Sequence, residues 1–244
     1  MKARLKFIKQ QAVAAPAWIF GIILAYFAAI FLTKWLFRLT LNFGILTPLN
    51  ETILTLSQGA IAYGMVTVLL LAGAWRLRGK PLSLRDMGLW RLPDWRDIGL
   101  SLVGALAYAA LAVLLLSAAQ LIPGFDVNQA QDTGLNGRLY SFDLLAAFAV
   151  LVVAAPFFEE LVFRGILYGR LRDSRLPQWL ATIIVSAFFG LAHMQWNVGV
   201  DVFALSVVMC VLREKTDSIW SGFLLHSIKN GIAFYSMYVM IGIG

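Results

Sequence analysis

Six residues have the types and spacing to do chemistry. Two adjacent glutamates, Glu159 and Glu160, are followed four positions on by Arg164, later by His193, and then by His226 and Asn230, again four apart. All lie in or beside apolar runs. An ionisable side chain at the bilayer centre costs about 2.5–3.5 kcal/mol on insertion scales, so it faces a cavity and has a partner. The set suits activation of water. A carboxylate takes a proton from water and later gives it to a leaving amine. One imidazole orients the water or shares its proton. A second imidazole and an amide donate hydrogen bonds to a developing oxyanion. A guanidinium holds a neighbouring carboxylate ionised. Glu and His are also ordinary zinc ligands, so a divalent metal is an alternative. The helical zinc-protease spacing His-Glu-x-x-His is absent.

The elements that must position these residues read as membrane helices. The chain has 244 residues, 60% of them apolar and 14% charged, with a mean hydropathy of +0.79. Soluble domains are about 45–50% apolar and about 25% charged. A soluble globular domain is therefore a poor fit, and a disordered chain is excluded. Apolar runs at 17–33, 53–75, 98–122, 144–158, 179–192, 202–212 and 219–243 predict an all-α, polytopic integral membrane protein of about seven helices. An eighth, re-entrant segment near 40–52 is the alternative. The first three runs read as plain membrane helices, while three of the last four carry the polar residues. Residues 1–244 read as a single membrane domain. Lys2, Arg4, Lys6 and Lys9 ahead of the first run resemble a signal peptide, but the run is long and ends at Lys34, which favours an uncleaved first helix.

The net charge of +7 fits cytoplasmic loops rich in Lys and Arg better than nucleic-acid binding, because the basic residues lie between apolar runs. With the N-terminus inside, sixteen of the twenty basic residues fall in inside segments. Lys34, Arg38 and Arg138 fall outside, and Lys229 lies within the last span. That asymmetry predicts a cytoplasmic N-terminus. The turn-rich stretch 123–142, with Gly124, Asp126, Asn128, Asp132, Gly134 and Asn136, reads as an external connection. The single cysteine, Cys210, excludes an internal disulfide and reads as a small buried apolar residue. Asp201 reads as an interfacial helix-start residue. Trp75, Trp179, Trp196 and Trp220 read as interface anchors. Lys229 reads as structural or cavity-lining.

Depth and face agree with a shared site. Measured from Arg172, Glu159 lies about 20 Å into its helix at 1.5 Å per residue. His193 lies about 24 Å from Pro177, and Asn230 and His226 about 20 and 14 Å from Asp217. The expectation is a polar cavity that opens toward the cytoplasm. Glu160 and Arg164 stack on one helical face, and Glu159 is turned about 100° away. His226 and Asn230 share a face, as do Phe189 and His193.

Glu159-Glu160-x-x-x-Arg164, Phe189-x-x-x-His193 and His226-x-x-x-Asn230 together resemble the three motifs of the CAAX prenyl endopeptidase and bacteriocin-processing family. Phe163 to Tyr168 (Phe-Arg-Gly-Ile-Leu-Tyr), Leu191-Ala-His193 and Ser83 to Leu89 (Ser-Leu-Arg-Asp-Met-Gly-Leu) resemble it as well. The resemblance covers about residues 145–235, which would be the catalytic core. It implies an intramembrane glutamate-type endopeptidase that acts on a membrane-associated or prenylated peptide. By analogy, Glu159 is the general base, and His193 helps to hold the water. His226 and Asn230 stabilise the oxyanion, and Glu160 and Arg164 are a supporting pair. No cofactor is required in this reading, and the partners are the lipid bilayer and a peptide or protein substrate. The location is the bacterial inner membrane. A catalytically silent scaffold or bacteriocin self-immunity protein of the same fold is the alternative. A proton-coupled transporter is disfavoured by the lack of repeated halves.

Overall fold

A computed structural model describes residues 2–44, 50–129, 134–135 and 139–240, without the side chains of 2–15 and 77–78. Among them there are seven successive helical rods and no strand. These are α1 (Lys2–Asn42), α2 (Glu51–Arg78), α3 (Trp95–Ala119), α4 (Ser141–Asp173), α5 (Gln178–Ala192), α6 (Trp196–Thr216) and α7 (Trp220–Phe234, continued by Tyr235–Val239). Five of them are long and apolar enough to cross a membrane, over Pro16–Asn42, Glu51–Arg76, Trp95–Ala119, Ser141–Asp173 and Trp196–Thr216. The expected all-α membrane protein is what is found. Two of the seven rods fall short of the expectation that each would cross alone. α5 has 15 residues, about 22 Å against a hydrocarbon core of about 30 Å. α7 carries His226, Lys229 and Asn230 and does not reach membrane-spanning hydropathy.

The helix ends follow local chemistry. The Asn50 side chain accepts from the Ile53 amide at 2.8 Å, and Gly79 closes α2 in the left-handed region at φ 68. Asp94 and Asp97 form a reciprocal capping box at the start of α3, which satisfies amides that a helix leaves orphaned. Two expectations are corrected at the ends. α1 runs on to Asn42, so Lys34 and Arg38 sit exposed on a helix rather than in a loop. Asp201 lies inside α6, five residues past its start, and its Oδ1 accepts from the Tyr108 hydroxyl at 2.5 Å. Trp75, Trp179 and Trp196 are exposed, and the Trp220 indole donates to the Arg91 carbonyl at 2.6 Å. Residues 45–49 of the 40–52 segment, and Asp132, Asn136 and Arg138 of the expected external connection, lie outside the described residues.

The chain divides into two compact units. The first comprises residues 83–132 and 160–226 with the N-terminal 1–18. Here α5 and α6 approach at Gly190 and Gly199, where a Cβ on Gly190 would come within 2.7 Å of the Gly199 carbonyl oxygen. Only glycine permits that spacing, and it brings the α5 backbone onto α6. Asp97, fully buried, joins the starts of α3 and α7: it accepts from Arg91 at 2.5 and 2.9 Å and from the Ser221 hydroxyl at 2.6 Å. Its hydrogen bond raises the Arg91 guanidinium further above its usual range. The second unit comprises 19–82, 133–159 and 227–244. Leu56, Leu139, Ala147, Val152 and Phe234 form its buried cluster, and Asn50 Nδ2 donates to the Asp143 carboxylate at 3.0 Å.

α4 is not a uniform α-helix. It widens into π-helical turns over Ala149–Ala154 and Leu161–Tyr168. Such turns re-aim backbone carbonyls and concentrate at functional sites. Two of the wider-turn features are accounted for. Gly165 packs on the Met87 carbonyl, which a Cβ would approach to 2.7 Å. The Arg164 carbonyl accepts from Arg213 Nε at 3.3 Å.

Candidate functional site

In the first unit, Arg164, His193 and His226 gather around one aromatic ring, and Glu160 contacts Arg164 and His226. Glu160 and Arg164 are both fully buried, and Arg164 Nη1 donates to Glu160 Oε1 at 2.7 Å. Their four-residue spacing on α4 makes this pair, as the sequence indicated. His226, also buried, places Nδ1 3.3 Å from the same oxygen. One carboxylate oxygen therefore binds a guanidinium from its own helix and an imidazole from α7. Phe189 of α5 fills the centre. The Arg164 guanidinium carbon stands 4.4 Å above its ring centroid, an attraction worth about 2 kcal/mol where desolvated. The rings of Phe163, His193 and His226 meet Phe189 edge-on at 5.0, 5.1 and 5.7 Å.

His193 stands at the C-terminal cap of α5, partly exposed. Its Nδ1 lies 2.8 Å from the Phe189 carbonyl oxygen. A carbonyl can only accept, so Nδ1 carries the proton, and in the neutral ring Nε2 holds the lone pair. Met194 follows in the left-handed region at φ 56 and ends the helix there. That conformation costs a non-glycine residue about 1–2 kcal/mol, and it fixes His193 at a terminus instead of inside a rod.

Glu159 and Asn230 belong to the second unit. The Tyr63 hydroxyl donates to Glu159 Oε1, and the Tyr63 ring lies parallel to Phe158 at 6.5 Å. Glu159 is half-buried. Asn230 Nδ2 donates at 3.0 Å to the carbonyl of Leu151, inside the first π-helical stretch. That bond fixes the Asn230 amide on α4. Lys229 is half-buried.

Two participants escaped the sequence reading. Tyr63 sits in the middle of an apolar helix, where a phenol needs a partner; that position was the available signal. Gly222 carries no signal of its own. A Cβ there would come within 2.8 Å of Glu160 Oε2, so the bare backbone of α7 makes room for the carboxylate. Among the described residues, no three His, Cys, Asp or Glu side chains gather as a metal-ligand group.

An apolar cavity of about 770 Å³ adjoins the end of α5 in the first unit. Leu115 and Ile122 of the α3 end, Leu191 and Met194 on either side of His193, and Trp196 and Phe203 of α6 line it. Its size falls within the range of small-molecule and lipid-chain sites, about 300–1,000 Å³.

Comparison with known proteins adds a family and two relatives. Residues 141–232 match the family described as type II CAAX prenyl endopeptidase Rce1-like, which supports membership of the CAAX prenyl endopeptidase and bacteriocin-processing family. The matched segment runs from α4 into α7 and holds all six candidate residues. The chain is 26% identical to an uncharacterized 24.3 kDa protein of Escherichia coli, over 72% of its own length and 77% of the relative's. It is 24% identical to the uncharacterized protein YpbD of Bacillus subtilis, over 62% of its length and 74% of the relative's. No solved structure matches it.

Proposed function

We propose that this chain is an intramembrane endopeptidase that cleaves by activated water, on the premise that residues 141–232 match the Rce1-like, type II CAAX prenyl endopeptidase family. The observation that carries the reading is the family match over α4–α7 coinciding with a buried Glu160–Arg164–His226 cluster and with His193 on the same Phe189 ring.

In this mechanism Glu159 is the general base. It removes a proton from the attacking water and returns it to the leaving amine. The Tyr63 hydroxyl, bonded to one oxygen of Glu159, orients the carboxylate. His193, with its proton on Nδ1, accepts from the water through Nε2 and so shares in holding it. Glu160 and Arg164 are positioning residues. They hold His226 by Nδ1, and the ring donates from Nε2 to the oxyanion of the tetrahedral intermediate. The Asn230 amide, set by the Leu151 carbonyl, supplies the second donor. The apolar cavity beside His193 suits a prenyl chain or an apolar side chain of a membrane-associated peptide. Water activation is assigned to Glu159 with no metal. The location is the bacterial inner membrane, with a cytoplasmic N-terminus.

The test is cleavage of a peptide library, with prenylated C-terminal tails included, by purified protein in detergent. Wild type, Glu159→Gln and chelator-treated wild type run in parallel. The expected result is cleavage by wild type that survives chelator and is lost in Glu159→Gln. Loss with chelator transfers the water to a metal. Function in cells that persists after Glu159 and His193 are both replaced assigns the chain to the alternative, a silent scaffold or self-immunity protein.

A further inference from the structure

A side chain from another helix enters the hydrogen-bond ladder of α4 at its second π-helical stretch. In a π turn the Arg164 carbonyl would accept from the amide five residues on, that of Gly169. The Gly169 amide donates to the Ile166 carbonyl instead. Arg213 of α6 supplies a donor: its Nε donates to the Arg164 carbonyl at 3.3 Å, in the buried interior. A backbone group drawn out of a helical ladder needs such a partner when it is buried. Arg213 thus acts on the backbone of the very residue whose guanidinium grips Glu160 at 2.7 Å. The mechanism above does not use it.

Arg213 is buried, although Asp217, to which its Nη1 donates at 2.7 Å, is exposed. An ion pair with an exposed partner contributes little and gives no reason to bury the Nε end. The neighbouring loop makes room for that end. Gly88 stands in the left-handed region at φ 74, and a Cβ there would come within 3.1 Å of Arg213 Nε. The Gly88 carbonyl accepts from the Ile219 amide at 3.1 Å and from the Ser218 hydroxyl at 3.2 Å, just ahead of α7. The Met87 carbonyl packs on Gly165. Arg213 and the 87–88 backbone therefore bear on α4 at 164–165 and on the start of α7 together. Those two helices carry Glu160 and His226, which meet at 3.3 Å. A hydrogen bond of that length is already near its limit, so a small shift of either backbone breaks it.

We propose that Arg213 is a positioning residue: its Nε–H holds the Arg164 carbonyl in the π-helical stretch, and so sets the register in which Glu160 of α4 meets His226 of α7. The bond to the carbonyl carries this role, and the charge shared with Asp217 does not. The catalytic consequence rests on the proteolytic reading above, in which His226 must present Nε2 to the oxyanion.

Substitutions at Arg213 separate the bond from the charge. Glutamine has an amide nitrogen at the chain position of the arginine Nε, so Arg213→Gln keeps a donor there and loses the cation. Lysine has a methylene at that position and its cation beyond, so Arg213→Lys does the reverse. The chain has two histidines, which makes the imidazole nitrogen signals of the full chain in detergent, labelled with 15N at histidine, a direct reporter; His193→Gln assigns them. The expected result is that Arg213→Lys moves the His226 Nδ1 signal toward its place in Glu160→Gln while His193 holds still. Arg213→Gln should leave both signals as in wild type. Arg213→Met, which lacks both donor and charge, is read in place of Arg213→Lys should that variant fail to fold. A His226 signal moved by Arg213→Gln and not by Arg213→Lys assigns the role to charge and overturns the proposal. So does a signal that neither variant moves, or that both move alike. In the cleavage assay Arg213→Lys should lower turnover about 10- to 10²-fold, the weight of a displacement of about 1 Å, with KM near wild type, and Arg213→Gln should restore it. The signals need no substrate, so the expected split together with cleavage indifferent to Glu159 leaves the positioning standing and removes the proteolytic reading.

Discussion

Glu159 and Glu160 are neighbours on one helix, yet they occupy opposite environments. Glu160 is fully buried in the first unit, with a guanidinium on its Oε1 and an imidazole 3.3 Å away. Glu159 is half-buried in the second unit, and a neutral tyrosine hydroxyl donates to it. The 100° turn between successive helical residues is enough to separate them. A carboxylate gripped by a guanidinium keeps its place, which suits a positioning residue. Glu159 is only half-buried, so a water can reach it, which suits a base. The contrast fits the proposed mechanism, in which the buried glutamate positions and the half-buried one reacts.

The largest effect that tests this contrast falls on the buried side. Arg164→Met removes the guanidinium from the buried Glu160 carboxylate and leaves it only the His226 contact, so the protein should lose about 3–5 kcal/mol of stability. A denaturant titration in detergent reads this. A midpoint equal to wild type would mean that Glu160 does not depend on Arg164, and the contrast would fail. The next effect falls on the half-buried side. Glu159→Gln should lower turnover about 10²- to 10⁴-fold, the usual weight of a general base, while the unfolding midpoint stays near wild type. If Glu159→Gln unfolds the protein instead, the two glutamates share one structural role.

Much of this was legible in the residues. The seven rods follow from apolar runs, and the Glu160–Arg164 pair follows from i,i+4 spacing. The placing of Phe189 one turn before His193 is likewise visible, because its ring had to face the same side. Other features were not. The π-helical turns over Leu161–Tyr168 depend on tertiary partners such as the Met87 carbonyl and Arg213, which no local pattern encodes. Asp201 looked like a helix start because polar residues favour caps. It is instead an interior residue bonded to Tyr108, which lies 93 positions away. Span ends were misjudged at Lys34 and Arg38 because long basic side chains let a membrane helix continue past its apolar stretch.

A smaller effect sharpens the contrast from the opposite helix. Gly222 leaves Glu160 Oε2 its space. Gly222→Ala should therefore push on the buried glutamate and cost about 1–3 kcal/mol, the usual penalty of overpacking. Alanine is otherwise a better helix former than glycine by about 1 kcal/mol, so a net loss in the same titration is specific to the contact. A gain in stability would show that α7 or the Glu160 side chain yields easily, and that the site is less rigid than the buried ion pair implies.

The smallest effect belongs to Tyr63. Tyr63→Phe removes the hydroxyl bonded to Glu159 and keeps the ring parallel to Phe158. Packing is unchanged, so the unfolding midpoint should move little. What is lost is one hydrogen bond to a charged group at a half-buried position, worth about 1.5 kcal/mol at the lower end of its range. If that bond orients the base, turnover should fall about tenfold, well short of the Glu159→Gln loss. The ratio of the two variants is the informative quantity. Equal losses would make Tyr63 part of the proton transfer itself. No loss at all would mean that Glu159 is oriented by its other contacts, and the division between a locked and a loosely held glutamate would rest on burial alone.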